Sequence, residues 1–123
     1  MTASADRSSY RVGERPVFTL TVTNTGTVAC VRDLSRPLRS LRVVPANGGQ
    51  TLWSSADCYT VAEPADTRTL RPGQSVGFSV IWAGRTSAPG CPADRGAVPA
   101  GQYAVTGRLG ALTSAPVPFA LTA

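Results

Sequence analysis

The sequence predicts a single all-β domain, an antiparallel β-sandwich of eight or nine short strands, and three stretches carry that prediction. PVFTLTVTNTG (residues 16–26), RPGQSVGFSVIW (71–82) and PAGQYAVTGRLG (99–110) each set a turn rich in Pro, Gly or Asn beside a run whose alternate residues are apolar. Phe18, Leu20 and Val22 share one face, with Thr19, Thr21 and Thr23 on the other; Val76, Phe78, Val80 and Trp82 repeat the pattern, as do Tyr103, Val105 and Leu109 around Gly107. A period of two marks strands with one buried face, and several such runs parted by turns mark a sandwich.

In chain order, residues 1–12 read as a polar tail or first edge strand holding Tyr10 and Val12, and residues 13–123 as the sandwich. The clearest strand is 17–23. Asn24-Thr25-Gly26 turns the chain, because Asn and Gly tolerate positive φ, and Val28 to Leu34 is expected to return antiparallel. Pro37 lacks the N–H a ladder needs and breaks the pairing. Leu41 and Val43 then point inward with Arg42 outward. Asn47-Gly48-Gly49 is the strongest hairpin signal, leading into Thr51–Ser55 with Trp53. After a looser stretch, 56–65, a short strand at 67–70 meets Pro72-Gly73, which fits a type II turn. Strand 75–82, a long loop from 83 to 101, and a final hairpin of 102–109 with 115–121 complete the chain. Phe18, Leu20, Val22, Leu41, Val43, Trp53, Val76, Phe78, Val80, Trp82, Tyr103, Val105, Phe119 and Leu121 form the expected core.

With 123 residues the chain can bury about two thirds of its unfolded surface, enough for one core. No apolar run nears the roughly 20 residues of a spanning helix. All twelve basic residues are arginine, for a net charge of +5; abundant Ala, Gly, Pro and Val without Lys reads as the bias of a GC-rich genome. There is no histidine, the usual acid–base group at neutral pH, and no lysine to activate a Ser or Cys nucleophile. No phosphate loop, dinucleotide fingerprint or calcium loop occurs. The expectation is therefore a protein that is not an enzyme and takes no cofactor. Arg32, Arg36, Arg39 and Arg42 are the one basic cluster, and no aromatic residue interleaves them, so specific nucleic-acid binding is not expected.

Cys30, Cys58 and Cys91 lack the paired spacing of zinc ligands. If strands simply alternate in direction from 17–23 onward, the 24–27, 46–50 and 72–73 turns share one end, and the 35–38, 56–65 and 83–101 connections the other. Cys58 and Cys91 then fall in two loops at one end, within reach of a disulfide; three reduced thiols are the alternative. Cys30, between Ala29 and Val31, is expected to be a small buried hydrophobe. A bridge favours an oxidising compartment. MTASADRSSY has no apolar export core, so the expected address is the cell envelope or the secreted space, with an export signal outside this stretch; cytoplasmic residence is the alternative.

The order FTLTVTNTG, LRVVPANGGQTLWSS, TLRPGQSVGFSVIW and PAGQYAVTGRL resembles the intracellular proteinase inhibitor (BsuPI-like) domain over about Val17 to Leu109. The resemblance implies an immunoglobulin-like sandwich and, by the family name, protease inhibition, although no reactive-site residue can be matched. The expected function is a non-catalytic binding or structural module, monomeric, presenting loops or a sheet edge to a protein or envelope polymer, with Tyr59, Arg85 and Arg95 as candidate contacts. The alternative is a protease inhibitor offering Arg68, Arg85 or Arg95 from an extended loop.

Overall fold

In the computed structural model, which describes residues 1–57, 64–89, 91 and 96–123, the first clear strand is Val17–Thr23, as its alternation predicts. Eleven strands are seen among the described residues: β1 (Thr2–Ala5), β2 (Ser9–Arg11), β3 (Val17–Thr23), β4 (Cys30–Asp33), β5 (Arg39–Pro45), β6 (Trp53–Ser54), β7 (Thr67–Leu70), β8 (Ser75–Ile81), β9 (Gly101–Leu109), β10 (Leu112–Thr113) and β11 (Val117–Thr122). One sheet has the order β1-β3-β8 and the other β2-β11-β9-β5-β6, with β10 hairpinned onto β9. The pairings are antiparallel except β2 with β11. This is an immunoglobulin-like sandwich. Residues 1–12 supply an edge strand to each sheet, so the chain crosses between layers at Asp6–Ser8.

The two layers meet over aromatic rings. Phe18 is fully buried and lies 5.9 Å from Trp82, 5.4 Å from Phe119 and 6.2 Å from Trp53, ring centre to ring centre. Tyr10 closes the far side edge-on to Phe119 at 6.1 Å. On the outer face of the first sheet the threonines of β3 pair with the serines of β8: Thr19 with Ser79 at 2.9 Å and Thr23 with Ser75 at 2.7 Å. Gly73 (φ +79°) lets Gln74 N–H reach Arg71 O at 2.9 Å, the type II turn expected there.

Several expectations are corrected. Residues 28–34 do not return against β3: β4 pairs with β7 as a separate ribbon, and Leu34 and Leu70 pack with Val22 and Leu109 in a second small core. The chain changes layer in the 3-10 turn Arg36–Leu38, beside Gly110, whose N–H donates to Leu38 O. The end assignments of the 35–38 and 46–50 connections are therefore exchanged, because β4 does not traverse the sandwich, and Asp66, just past the 56–65 connection, lies at the 35–38 end, where it receives Leu34 N–H. Cys30 is exposed, since both faces of β4 look away from the main core. Trp53, Val76, Phe78 and Val80 are half-buried, because β6 and β8 are edge strands. Tyr10, Leu34, Leu70 and Val98 take buried places the expected core lacked.

Candidate functional site

The long connection after β8 begins as a built stem. Trp82, 1% exposed, receives its position from its own N–H on Pro16 O (2.9 Å) and from its indole N–H on Arg85 O (3.0 Å). The returning arm is pinned by Val98, also 1% exposed, whose N–H donates to Gly84 O at 2.8 Å. Between them Arg85 bridges Ala97, Thr86 N–H donates to Gly96 O (2.8 Å), and Gly96 N–H donates to the Thr86 hydroxyl (3.1 Å). A short two-armed ribbon, 84–86 against 96–98, thus leaves the core with its backbone groups paired across the two arms.

Its outgoing arm then lies along β6. Ser87 N–H donates to Leu52 O at 2.9 Å, and the Ser87 hydroxyl accepts from Ser54 N–H at 2.9 Å while donating to Asp57 Oδ2 at 2.6 Å. This arm walls a cleft of about 480 Å³ over the solvent face of the six-stranded sheet. The period of two that turns Leu41 and Val43 inward turns Ser40 and Arg42 outward. The register sets Ser40 opposite Arg108, and Arg42 between Thr106 and Ser54, so both arginines share that face. Arg108 Nε donates to Gly110 O at 2.9 Å. Arg42 Nε is buried with no hydrogen-bond partner among the described residues.

A second hollow, about 220 Å³, opens between the layers over Leu20, Leu41, Phe78 and Val80. Arg39, on the inward face of β5, stacks its guanidinium 3.8 Å above the Phe78 ring and donates from Nη1 to Leu34 O at 2.6 Å. The stacked cation covers apolar surface that the β8 edge leaves open.

The described carboxylates are tied into the scaffold. Asp6 accepts from the Tyr10 hydroxyl at 2.5 Å and from Val17 N–H at 3.2 Å; Glu14 accepts from Arg11 N–H and Arg7 Nη2, both at 2.7 Å. Asp33 accepts from Ser35 N–H (2.9 Å) and Asp66 N–H (3.0 Å), and Asp66 holds Arg68 bidentately at 3.1 and 2.8 Å. These donors stabilise the ionised form and lower all four pKa values. Tyr10 moves the other way: burial, then its bond to Asp6, pushes its phenol up to about 12. Among the described residues no cluster of three His, Cys, Asp or Glu could hold a metal, and no helix is long and apolar enough to cross a membrane.

Of the residues singled out in the sequence, Arg85 stands exposed on the stem, its carbonyl receiving Trp82. Tyr59, Cys58 and Arg95 lie outside the described residues. The 56–65 and 83–101 segments do meet, through Asp57 and Ser87, although Cys58 itself is not described. The arginine cluster divides: Arg32 lies on the β4 ribbon, Arg36 in the 3-10 turn, and Arg39 and Arg42 on opposite faces of β5. Sequence reasoning missed the cleft, whose Ser40, Ser54, Ser87 and Arg108 become neighbours only through strand register. The outward placing of Arg42 was its one visible trace.

No protein-family model matches the chain, and no curated protein matches it. Solved structures do. A β-glucosidase from Erythrobacter marinus superposes with a TM-score of 0.56 at 13% identity, over 99% of this chain and 15% of that one. A cycloisomaltooligosaccharide glucanotransferase from Paenibacillus sp. gives 0.51 at 19% identity, over 98% and 13%. A β-glucosidase from Listeria innocua, in complex with gluconolactone, gives 0.53 at 9% identity, over 98% and 16%. The likeness is one of fold, and this chain spans a domain-sized fraction of each of those enzymes.

Proposed function

We propose that this chain is a non-catalytic β-sandwich module of a secreted or cell-envelope protein, working by contact with a protein or polymer partner. The observation that carries this reading is that four of its seven carboxylates are bound into the scaffold by structural donors. A general acid at neutral pH needs a raised pKa, whereas Asp6, Glu14, Asp33 and Asp66 are each held ionised by structural donors. Neither His nor Lys is present to take their place. The solved structures it resembles are carbohydrate-active enzymes of which it matches only a small part, which supports an accessory role. The contact surface proposed is the 82–98 stem with its loop, where Arg85 is exposed; a pre-ordered stem lowers the entropy lost on binding. Tyr59 and Arg95 complete that surface in the proposal.

The test immobilises the wild-type domain and a variant whose residues 88–95 are replaced by a short Gly-Ser turn, with Cys58→Ser, so that the stem survives. Both are offered the secreted and envelope fraction of the source cells. Specific capture by the wild type alone supports the reading; equal capture by both defeats the loop assignment, and no specific capture by either defeats the module.

A second reading, protease inhibition, follows the resemblance to the BsuPI-like family and is favoured by the same rigid stem, which would offer Arg85 or Arg95 to a trypsin-like pocket. Titration against a panel of serine proteases tests it. Stoichiometric inhibition supports it, and slow cleavage throughout the panel removes it.

A further inference from the structure

Resting on the module reading, we propose that the cleft over β5, β6 and β9 binds an acidic peptide segment, seating a carboxylate between Arg42 and Arg108. Arg42 is the centre of the argument. Its Nε is shielded from solvent without a hydrogen bond among the described residues, an arrangement that costs stability in the unliganded domain and that a turn of the guanidinium toward an acceptor in the cleft would relieve. A carboxylate is that acceptor, because its two oxygens fit the guanidinium fork. Arg108 stands on the neighbouring strand, opposite Ser40 and on the same face. Its Nε is committed to Gly110 O, which steadies the side chain and leaves its terminal amino groups for a ligand.

The rest of the lining agrees with this occupant. Asp57 is the one carboxylate among the described lining residues, and its Oδ2 is bonded to the Ser87 hydroxyl at 2.6 Å. Hydroxyl and amide groups of Ser40, Thr51 and Gln50 can meet a peptide backbone, while Ala88 and Pro89 offer small apolar contacts. No aromatic ring is found among the described lining residues, whose cationic and polar groups match a carboxylate better than a stacked base or sugar ring. The net charge of +5 adds long-range attraction for an acidic partner.

The probe is the blocked peptide acetyl-Ala-Glu-Ala-Glu-Ala-amide, titrated by calorimetry into the wild-type domain, with its Gln counterpart and polygalacturonate as parallel arms. Saturable binding of the Glu peptide is expected, abolished in the Gln peptide and weakened at least tenfold in both Arg42→Met and Arg108→Gln. Met fills the space of the Arg stem and removes the unpaired donor, so Arg42→Met should melt no lower than the wild type. A lowered Tm there would mark Arg42 as structural and count against the proposal; Arg108, exposed, tests binding without that complication. Absence of Glu-peptide binding, or binding indifferent to both substitutions, overturns the proposal. Arginine-dependent binding of polygalacturonate alone also overturns it, in favour of an acidic polysaccharide. Loop-dependent capture that survives such a failure leaves the module reading standing and removes only the cleft.

Discussion

The Tyr10 hydroxyl donates to Asp6 Oδ1 at 2.5 Å and accepts from Arg7 N–H at 3.0 Å, closing the crossover by which the N-terminal segment passes from one sheet to the other. The Tyr10 ring lies in the core against Phe119, while Asp6 also receives Val17 N–H from the start of β3. One side chain therefore joins both layers and the strand that leads into the sandwich. The polar stretch before Val17 is in this way a structural seam.

Replacing Tyr10 by Phe keeps the ring and removes the clasp. A hydrogen bond to a carboxylate contributes about 1.5–3 kcal/mol when well shielded; Asp6 is exposed, so a loss of about 1 kcal/mol is expected from denaturant unfolding.

The same residue sets the alkaline limit of stability. Its phenol titrates near pH 10 in the unfolded chain and is pushed up to about 12 in the fold, so the unfolded state loses its proton first. The stability this contributes is intact below pH 10 and is lost as pH rises from 10 to about 12. The lowered carboxylates act at the other end: their contribution is present above the ordinary carboxylate range and falls as the pH drops through their folded pKa values. With no histidine to titrate between, Tm measured across pH 5 to 9 should be nearly flat. A step in Tm near pH 6.5 would contradict this.

Gly107 packs directly against the opposite layer. A Cβ placed there would lie 2.4 Å from Leu20 Cδ1, so the buried Leu20 side chain would have to shift toward the hollow it lines. Gly107→Ala should cost roughly 1–3 kcal/mol through overpacking, read as a fall in the denaturation midpoint with β-sheet circular dichroism retained.

The strands and most of the core were legible because alternation is written residue by residue: Phe18, Leu20, Leu41, Val43, Tyr103 and Phe119 needed no partner to be recognised as inward. What alternation cannot give is which strand lies beside which. Val28–Leu34 has the composition of a return strand, yet it pairs with β7, and that one choice exchanged two loop ends and exposed Cys30. Val98 was hidden because no periodic run surrounds it. The cleft was hidden for the same reason as the pairing: Arg42 and Arg108, 66 positions apart by number, become neighbours through the β5–β9 register.

Asn24 shows what holds the displaced ribbon. Only 7% exposed, it donates from Nδ2 to Val28 O (2.8 Å) and Leu70 O (2.9 Å), and its Oδ1 accepts from Gly26 N–H (3.0 Å). Asn24→Ala leaves two carbonyls and one N–H without this partner and should cost about 2–3 kcal/mol. Hydrogen exchange should quicken first in 28–33 and 67–70, while β9 stays protected. Uniform acceleration across both sheets would show that the ribbon has no separate anchorage.

The last prediction concerns the thiols. Cys30 is a free, exposed thiol on β4, so it should react rapidly with a thiol reagent in the native state. The Asp57–Ser87 bond brings together the segments that precede Cys58 and Cys91, which favours the Cys58–Cys91 bridge over any pairing through Cys30. Closing that loop would stabilise the fold by roughly 3–4 kcal/mol in the chain-entropy account. Protein prepared without reductant should therefore show one reactive thiol per chain, and non-reducing peptide mapping should recover one linked peptide containing Cys58 and Cys91. Reduction should lower the Tm with no change in Cys30 reactivity. Three reactive thiols, or a linked peptide containing Cys30, would defeat the pairing and with it the principal support for an address outside the cytoplasm.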